Sequence, residues 1–207
     1  MTANAEAYQA LLLDHATGAL TSARQLLVET HLRLQPAARV EAAALEAAGG
    51  ALLEGLAPAP VAERIRLSEP ASQLAAVRAP TPCAGVRQAR ALIEAASHGP
   101  AHLNWRWRAP AMRELRLPVP GATLLRLAGG RAAPKHGHTG EELTLVLRGT
   151  YADETGMYAP GDIAFADADL DHGPFVPDGE ECVCLVATEG ALLFHGFIAR
   201  LFNRVLA

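Results

Sequence analysis

The stretch Pro134-Lys-His-Gly-His-Thr-Gly-Glu-Glu-Leu-Thr-Leu-Val-Leu-Arg-Gly149 constrains this chain more than any other. Side chains alternate along a strand, so His136 and His138 point the same way. Glu142 has the same parity, and Thr139-Gly140 supplies a turn that brings it beside them. Two imidazoles and a carboxylate aimed at one point make a metal site that lacks one ligand. His172, in Asp171-His172-Gly173-Pro174, is the nominee for the fourth. A returning strand would deliver it after the turns at Asp153-Glu-Thr-Gly156 and Met157-Tyr-Ala-Pro-Gly161. The expected metal ligands are therefore His136, His138, Glu142 and His172. The competing reading makes them exposed loop histidines with no metal.

From Leu103 onward the hydrophobic period is two. Trp105 and Trp107 share a face with Arg106 and Arg108 opposite, as in a half-buried strand, or else the two indoles line a ligand cavity. Leu115, Leu117 and Val119 alternate with polar residues or proline. Further strands are expected at Ala122–Leu127, in the histidine motif, at Ile163–Phe165, at Cys182–Ala187 and at Ala191–Phe194. Short strands punctuated by Gly and Pro turns indicate a sandwich or barrel. Cys182 and Cys184 fall on one face of their strand as small core hydrophobes; a redox pair or thiolate ligands is the alternative. Cys83, among prolines, reads as a bystander.

Here the chain resembles the cupin superfamily. His136-x-His138-x3-Glu142-x6-Gly149 is similar to the first cupin motif, and Pro160-Gly161 followed by His172 to a loosened second one. The resemblance implies a double-stranded β-helix, or jelly roll, holding one divalent metal. Zinc is the first expectation, and Fe, Mn and Ni stay open because a His3Glu set accommodates several first-row ions.

Residues 5–56 read as helices. An amphipathic segment with Leu11, Leu12 and Leu13 stops at Thr17-Gly18, and Thr21 or Ser22 can cap the next, which carries Leu26, Leu27, Val28, His31 and Leu32. Pro36 suits the first turn of a third helix, which runs to Gly49-Gly50 or on to Leu56. Abundant alanine favours helix and close packing. Prolines at 58, 60, 70, 80 and 82 mark a connector with one helical turn near Ala62–Leu67 and a short helix over Arg87–Ala96. The expected organisation is α+β: a small N-terminal helical bundle over 1–57, a linker with a short helix over 58–100, and a cupin barrel over 101–207.

Leu11-Leu-Leu-Asp-His15-Ala-Thr-Gly-Ala-Leu20, followed by Leu26-Leu-Val-Glu-Thr-His31-Leu32, resembles the N-terminal domain of ChrR-type anti-sigma factors. That resemblance implies a helical domain that binds an extracytoplasmic-function (group IV) sigma factor, followed by a cupin that senses a signal such as singlet oxygen or an oxidised small molecule. The family's helical domain holds zinc through an upstream histidine and His-x3-Cys-x2-Cys. In this chain the motif positions read His31-x3-Gln35-x2-Ala38, and the upstream position falls near Glu6. Gln and Ala supply neither thiolate, so no zinc is expected in the helices and apolar packing must replace it. His31 is then a half-buried helix histidine; the alternative groups Glu6, His15 and His31 around a metal.

Three cysteines in 207 residues argue against a disulfide scaffold, and a net charge of −4 gives no nucleic-acid footprint. Met1-Thr-Ala-Asn-Ala-Glu lacks a signal peptide's basic and apolar regions, and no apolar run approaches the ~20 residues of a membrane span, so a cytoplasmic protein is expected. In the tail, Phe197, Ile198, Leu201, Phe202 and Val205 could share a helical stripe against the barrel or a second copy, making a homodimer. His195 there is a weak site candidate, and His98 and His102 read as surface residues. A second function class is a metal-dependent cupin enzyme, a dioxygenase, isomerase or hydrolase with Glu141 or Asp171 as proton-transfer candidates. A third is a ligand-binding or structural cupin.

Overall fold

The computed structural model describes residues 3–58 and 84–194. Three helices come first: α1 (Ala3–Thr17), α2 (Ser22–Leu34) and α3 (Pro36–Glu54). Gly18 ends α1 in the left-handed conformation (φ 72°), and the amides of Gly18 and Ala19 return to the carbonyls of His15 and Asp14. Thr21 occupies the N-cap position of α2 but makes no capping bond with its side chain. Pro36 opens α3, which passes through Gly49-Gly50 and ends at Glu54. Helix α4 (Ala84–His98) is longer than the Arg87–Ala96 segment that the sequence suggests.

Twelve strands follow: β1 (Arg106–Ala109), β2 (Met112–Arg116), β3 (Ala122–Leu127), β4 (Arg131–Ala132), β5 (His136–His138), β6 (Glu142–Arg148), β7 (Tyr151–Asp153), β8 (Gly156–Tyr158), β9 (Ile163–Ala166), β10 (Phe175–Val176), β11 (Cys182–Thr188) and β12 (Leu192–Phe194). They form an antiparallel six-stranded sheet in the order β1-β2-β3-β11-β6-β9, a four-stranded sheet β4-β10-β7-β8, and the pair β12-β5. This is the expected α+β arrangement, with helices before a jelly-roll-like barrel.

The central strands of the large sheet, β3, β11 and β6, are buried on both faces. Its outer face (Leu124, Leu143, Leu145, Val183, Leu185) packs against Leu26, Leu27 and Val28 of α2 and Ala89 and Ile93 of α4 in one continuous core. Its inner face (Leu127, Val146, Cys182, Cys184, Val186) faces the barrel interior. Two covered faces explain why β6 and β11 are buried along nearly their whole length, and why β11 is a near-unbroken apolar run.

Helix α2 is tied to the barrel at both ends. Near its N-terminus the Thr21 hydroxyl donates to Glu189 (2.9 Å), and Arg24 pairs with Glu141 and, at 3.6 Å, with Glu189. Near its C-terminus His31 Nδ1 donates to the Gly161 carbonyl at 2.7 Å, and the Tyr8 hydroxyl meets His31 Nε2 at 3.0 Å. Gly161 has a left-handed φ of 96°, and its α-carbon lies directly beneath the Gln35 side chain. His31 is buried rather than half-buried, and neither ring nitrogen is free for a metal. The grouping of Glu6, His15 and His31 does not form: His15 bonds Gln25 instead.

The two tryptophans do not line a cavity. Trp105 packs against the helix-covered core, Trp107 is exposed, and Arg108 from the opposite face turns inward. Cys182 and Cys184 are buried free thiols with sulfurs 3.4 Å apart. Hydrogen bonding to Cys182 and burial push the Cys184 thiol well up, so it is no thiolate ligand. His98 and His102 are exposed. The helical turn near Ala62–Leu67, Cys83, His195 and the apolar tail lie outside the described residues.

Candidate metal centre

Backbone pairing brings the histidines together before their side chains do. His136 and His172 form an isolated antiparallel bridge, each amide donating to the other's carbonyl at 3.0 and 2.9 Å. His138 lies two residues along β5 and therefore on the same side as His136. Glu142 opens β6 after the bend at Thr139-Gly140. Gly140 packs against the Glu189 carbonyl with no room for a side chain, so the bend needs glycine there.

The four side chains converge. His136, His138, Glu142 and His172 are all buried, and one ligand atom from each lies within 4.8 Å of the others. The Nε2 atoms of His138 and His172 are 3.0 Å apart, and those of His172 and His136 are 3.2 Å apart. An ion at the ~2.0–2.1 Å nitrogen distance of zinc holds neighbouring donors roughly 2.9–3.4 Å apart, so the spacing fits a shared cation.

The ring protons support the same reading. His136 Nδ1 lies 2.9 Å from the Pro134 carbonyl and His172 Nδ1 lies 3.3 Å from Asp153, and both partners accept. Each ring thus carries its proton on Nδ1 and turns an Nε2 lone pair inward. Lone pairs facing each other across 3 Å repel unless a cation lies between them. Burial lowers the pKa of His136, and burial with the neighbouring His136 and His172 takes His138 down to about 4. Neutral imidazoles are what a metal requires. His138 Nδ1 is buried without a hydrogen-bond partner.

Glu142 supplies the negative charge. Burial raises its pKa, against the opposing pull of His172 and of hydrogen bonds from Thr188 and Thr144. The Thr188 hydroxyl donates to Glu142 Oε2 at 3.2 Å. A buried carboxylate beside neutral rings is costly unless a cation balances it.

Two supporting residues escape sequence reasoning. Asp153 reads there only as part of a turn, yet its carboxylate is almost fully buried and orients His172. Burial works to raise its pKa, but hydrogen bonds from His172 and Thr155 hold it at about 2. Thr155 bonds Asp153 Oδ1 through its amide at 2.8 Å, and an Asp-x-Thr turn of this kind is the signal that could have flagged it. Thr188 carries no local signal, since only strand pairing puts it opposite Glu142. Glu141 and Asp171 are exposed; Glu141 is engaged with Arg24, and the charge of Asp171 acts on His136 and His138 from outside.

Comparison with known proteins came from three directions. The family described as the ChrR cupin-like domain matches residues 119–191. The anti-sigma-E factor ChrR of Cereibacter sphaeroides is 38% identical over 206 residues, covering 97% of each chain. The crystal structure of Rhodobacter sphaeroides SigE in complex with the anti-sigma ChrR is similar, with a TM-score of 0.70 and 40% identity over 87% of this chain and 96% of that one. An RmlC-like cupin protein from Ralstonia eutropha superposes less well, at a TM-score of 0.39 and 22% identity over 46% of this chain and 68% of that one.

Proposed function

This chain belongs to the ChrR family of anti-sigma factors, and on that premise we propose that its helices hold an extracytoplasmic-function sigma factor while its barrel senses the signal that releases it. The division of labour would follow a helical unit over 1–57, a connector over 58–100 and a barrel over 101–207. The sigma factor meets polymerase in the cytoplasm, and no described helix is long and apolar enough to cross a membrane.

The observation that carries this reading is the uncovered end of α3. Leu52, Leu53 and Leu56 are 75, 70 and 66% exposed, and none of them joins the described core. Large aliphatic side chains clustered at one helix end mark a binding surface. The relative solved with its sigma factor aligns over nearly its whole length, which supports a sigma factor as the partner this surface would receive.

His136, His138, Glu142 and His172 are the ligands we assign to one divalent ion, zinc first by donor set. When bound, the ion would supply the positive charge that balances Glu142 and ties β5, β6 and the segment around His172 to one point. In the helices, Gln35 and Ala38 offer no thiolate, and His31 already spends both nitrogens on Tyr8 and Gly161.

The test is co-purification of the tagged full chain with its host's sigma factors, identified by mass spectrometry. One sigma factor should be recovered in stoichiometric amount. Leu52→Asp with Leu53→Asp should lose it without changing the melting temperature, because both side chains are already exposed. Failure of the folded wild-type chain to retain any sigma factor would sink the proposal, as would undiminished retention by the double variant.

A further inference from the structure

The barrel interior holds a cavity of about 740 Å³ that the metal centre does not use up. Small barrels ordinarily fill their inward positions with side chains, whereas this volume is within the roughly 300–1,000 Å³ of ligand sites. Its wall follows from register. Across the inner face of the large sheet, Glu114 lies opposite Leu125, which lies opposite Cys184, and Arg116, Thr123, Val186 and Thr144 form the next row. The middle of the wall is therefore apolar or hydroxylic. Its two ends are not. One end carries His136 and Glu142, and the other carries Arg108 of β1 with Glu114 and Arg116 of β2.

That second polar end also ties β1 to β2. Arg108 Nε lies 3.4 Å from one Glu114 oxygen and Arg116 Nε lies 3.6 Å from the other. The side chains of Arg108 and Glu114 are only 19% and 14% exposed, so both charges are largely withdrawn from water. Two guanidinium groups on one carboxylate leave a net positive charge at this end, carried at the cavity mouth by Arg116, whose side chain is 77% exposed. The remaining donors of Arg108 suit a planar oxyanion, which a guanidinium binds in bidentate fashion.

We infer that this cavity binds an amphiphilic organic monoanion, a medium-chain carboxylate in chemical class, with its head group on Arg108 and its apolar body along Leu125 and Val186 toward the metal centre. Arg116 at the mouth offsets Glu114, which leaves the Arg108 guanidinium for one carboxylate. The sheet order puts three strand spacings between β2 and β6, about 14 Å, which accommodates an acyl chain of roughly ten carbons. The inference rests on the sensing role proposed above for its meaning, since such a ligand would be the signal or its precursor. Binding itself does not require a sigma factor.

Decanoate is the probe, titrated calorimetrically into the purified full chain without any sigma factor, so that failure here and failure of sigma binding are separable. Decanoate should bind with one-to-one stoichiometry and at least ten-fold tighter than decan-1-ol. Arg108→Met should remove that margin, because a charge-assisted contact is lost while the apolar wall is kept. Leu125→Trp, checked for folding by circular dichroism, should abolish binding of both by filling the cavity. Absence of decanoate binding to the wild-type chain overturns the inference. So does equal affinity for acid and alcohol, a margin that survives Arg108→Met, or binding that persists in a folded Leu125→Trp variant.

Discussion

Removing the His31 side chain should loosen the helices from the barrel, and the size of the effect can be worked from its contacts. In His31→Ala the Gly161 carbonyl loses the donor at 2.7 Å, and Gly161 is buried. A buried acceptor left unpaired costs about 1–3 kcal/mol. The Tyr8 hydroxyl loses its 3.0 Å partner but is only partly buried, so water recovers most of that bond at a net cost of about 0.5–1 kcal/mol. The vacated ring volume adds about 1 kcal/mol or more. The total is about 2.5–5 kcal/mol, equivalent to a Tm lowered by roughly 5–20 °C for a chain of this size.

The assay is a thermal melt of the full chain with and without chelator. His31→Asn, which keeps a donor toward Gly161, should recover part of the loss. In a double-mutant cycle, Tyr8→Phe should cost less in the His31→Ala background than in the wild type. A Tm drop under about 2 °C would refute the latch, because it would mean that these contacts contribute less than about 1 kcal/mol. An effect of His31→Ala that disappears after chelation would refute it differently, by making His31 a metal ligand.

At the barrel, His136→Ala combined with His138→Ala should take bound metal from one equivalent to none by elemental analysis of the purified chain; metal retained at one equivalent would overturn the ligand assignment. The pH dependence of the latch has a definite sign. Burial lowers the pKa of His31, against weaker opposing effects of the Gly161 carbonyl, Asp162 and Glu41. The unfolded chain therefore takes up a proton near pH 6.5 while the folded one waits for a lower pH. Stability from this group is complete above about pH 7 and is lost as pH falls below 6.5 toward the folded pKa. His136 and His138 act in the same direction and Glu142 in the opposite one, so the readout is the difference between wild type and His31→Asn in chelated protein. Wild-type Tm should fall more steeply between pH 7 and 5; equal slopes would show that His31 does not titrate in this way.

Residues that signal by local pattern were legible in the sequence, and residues that signal only by pairing were not. The spacing of His136, His138 and Glu142 follows from strand alternation plus one bend, so the motif itself predicts their convergence. His172 lies far enough along that a loosened motif gives only a nomination; the backbone bridge to His136 is what places it. Asp153 and Thr188 were invisible because the contacts that matter, to His172 and Glu142, are made across strands. The tryptophan pair misled because period-two alternation says which residues share a face but not which face is inside. In a sheet covered on both sides, Trp105 could join the helix-covered core while Arg108 took the cavity. Missing cysteines argue against zinc in the helices, but nothing local announced that His31 would turn to a carbonyl 130 residues away.

The two ties on α2 bear directly on how a barrel could speak to helices. Glu141 and Glu189, which hold Arg24 and Thr21, are the immediate neighbours of Glu142 and of the Thr188 that bonds it. The amide of Glu189 also donates to the Glu141 carbonyl at 2.8 Å, locking the two segments together. At the other end, the Gly161 amide donates to the Val146 carbonyl at 2.8 Å and the Val146 amide to the Asp162 carbonyl at 3.1 Å, on the strand that begins with Glu142. Helix α2 is thus anchored on either side of β6, whose inner face carries a metal-ligand candidate and part of the cavity wall. A close-packed interior transmits a displacement of such a strand rather than absorbing it. A signal can shift sigma affinity only as far as it binds or alters two states of the chain differently. The α2–β6 contact, seen here with α2 seated on the barrel, is the element through which such a difference would have to pass. Because α2 leads within two residues into α3, whose outer leucines are uncovered, seating of α2 also bears on the orientation of the surface proposed to meet the partner.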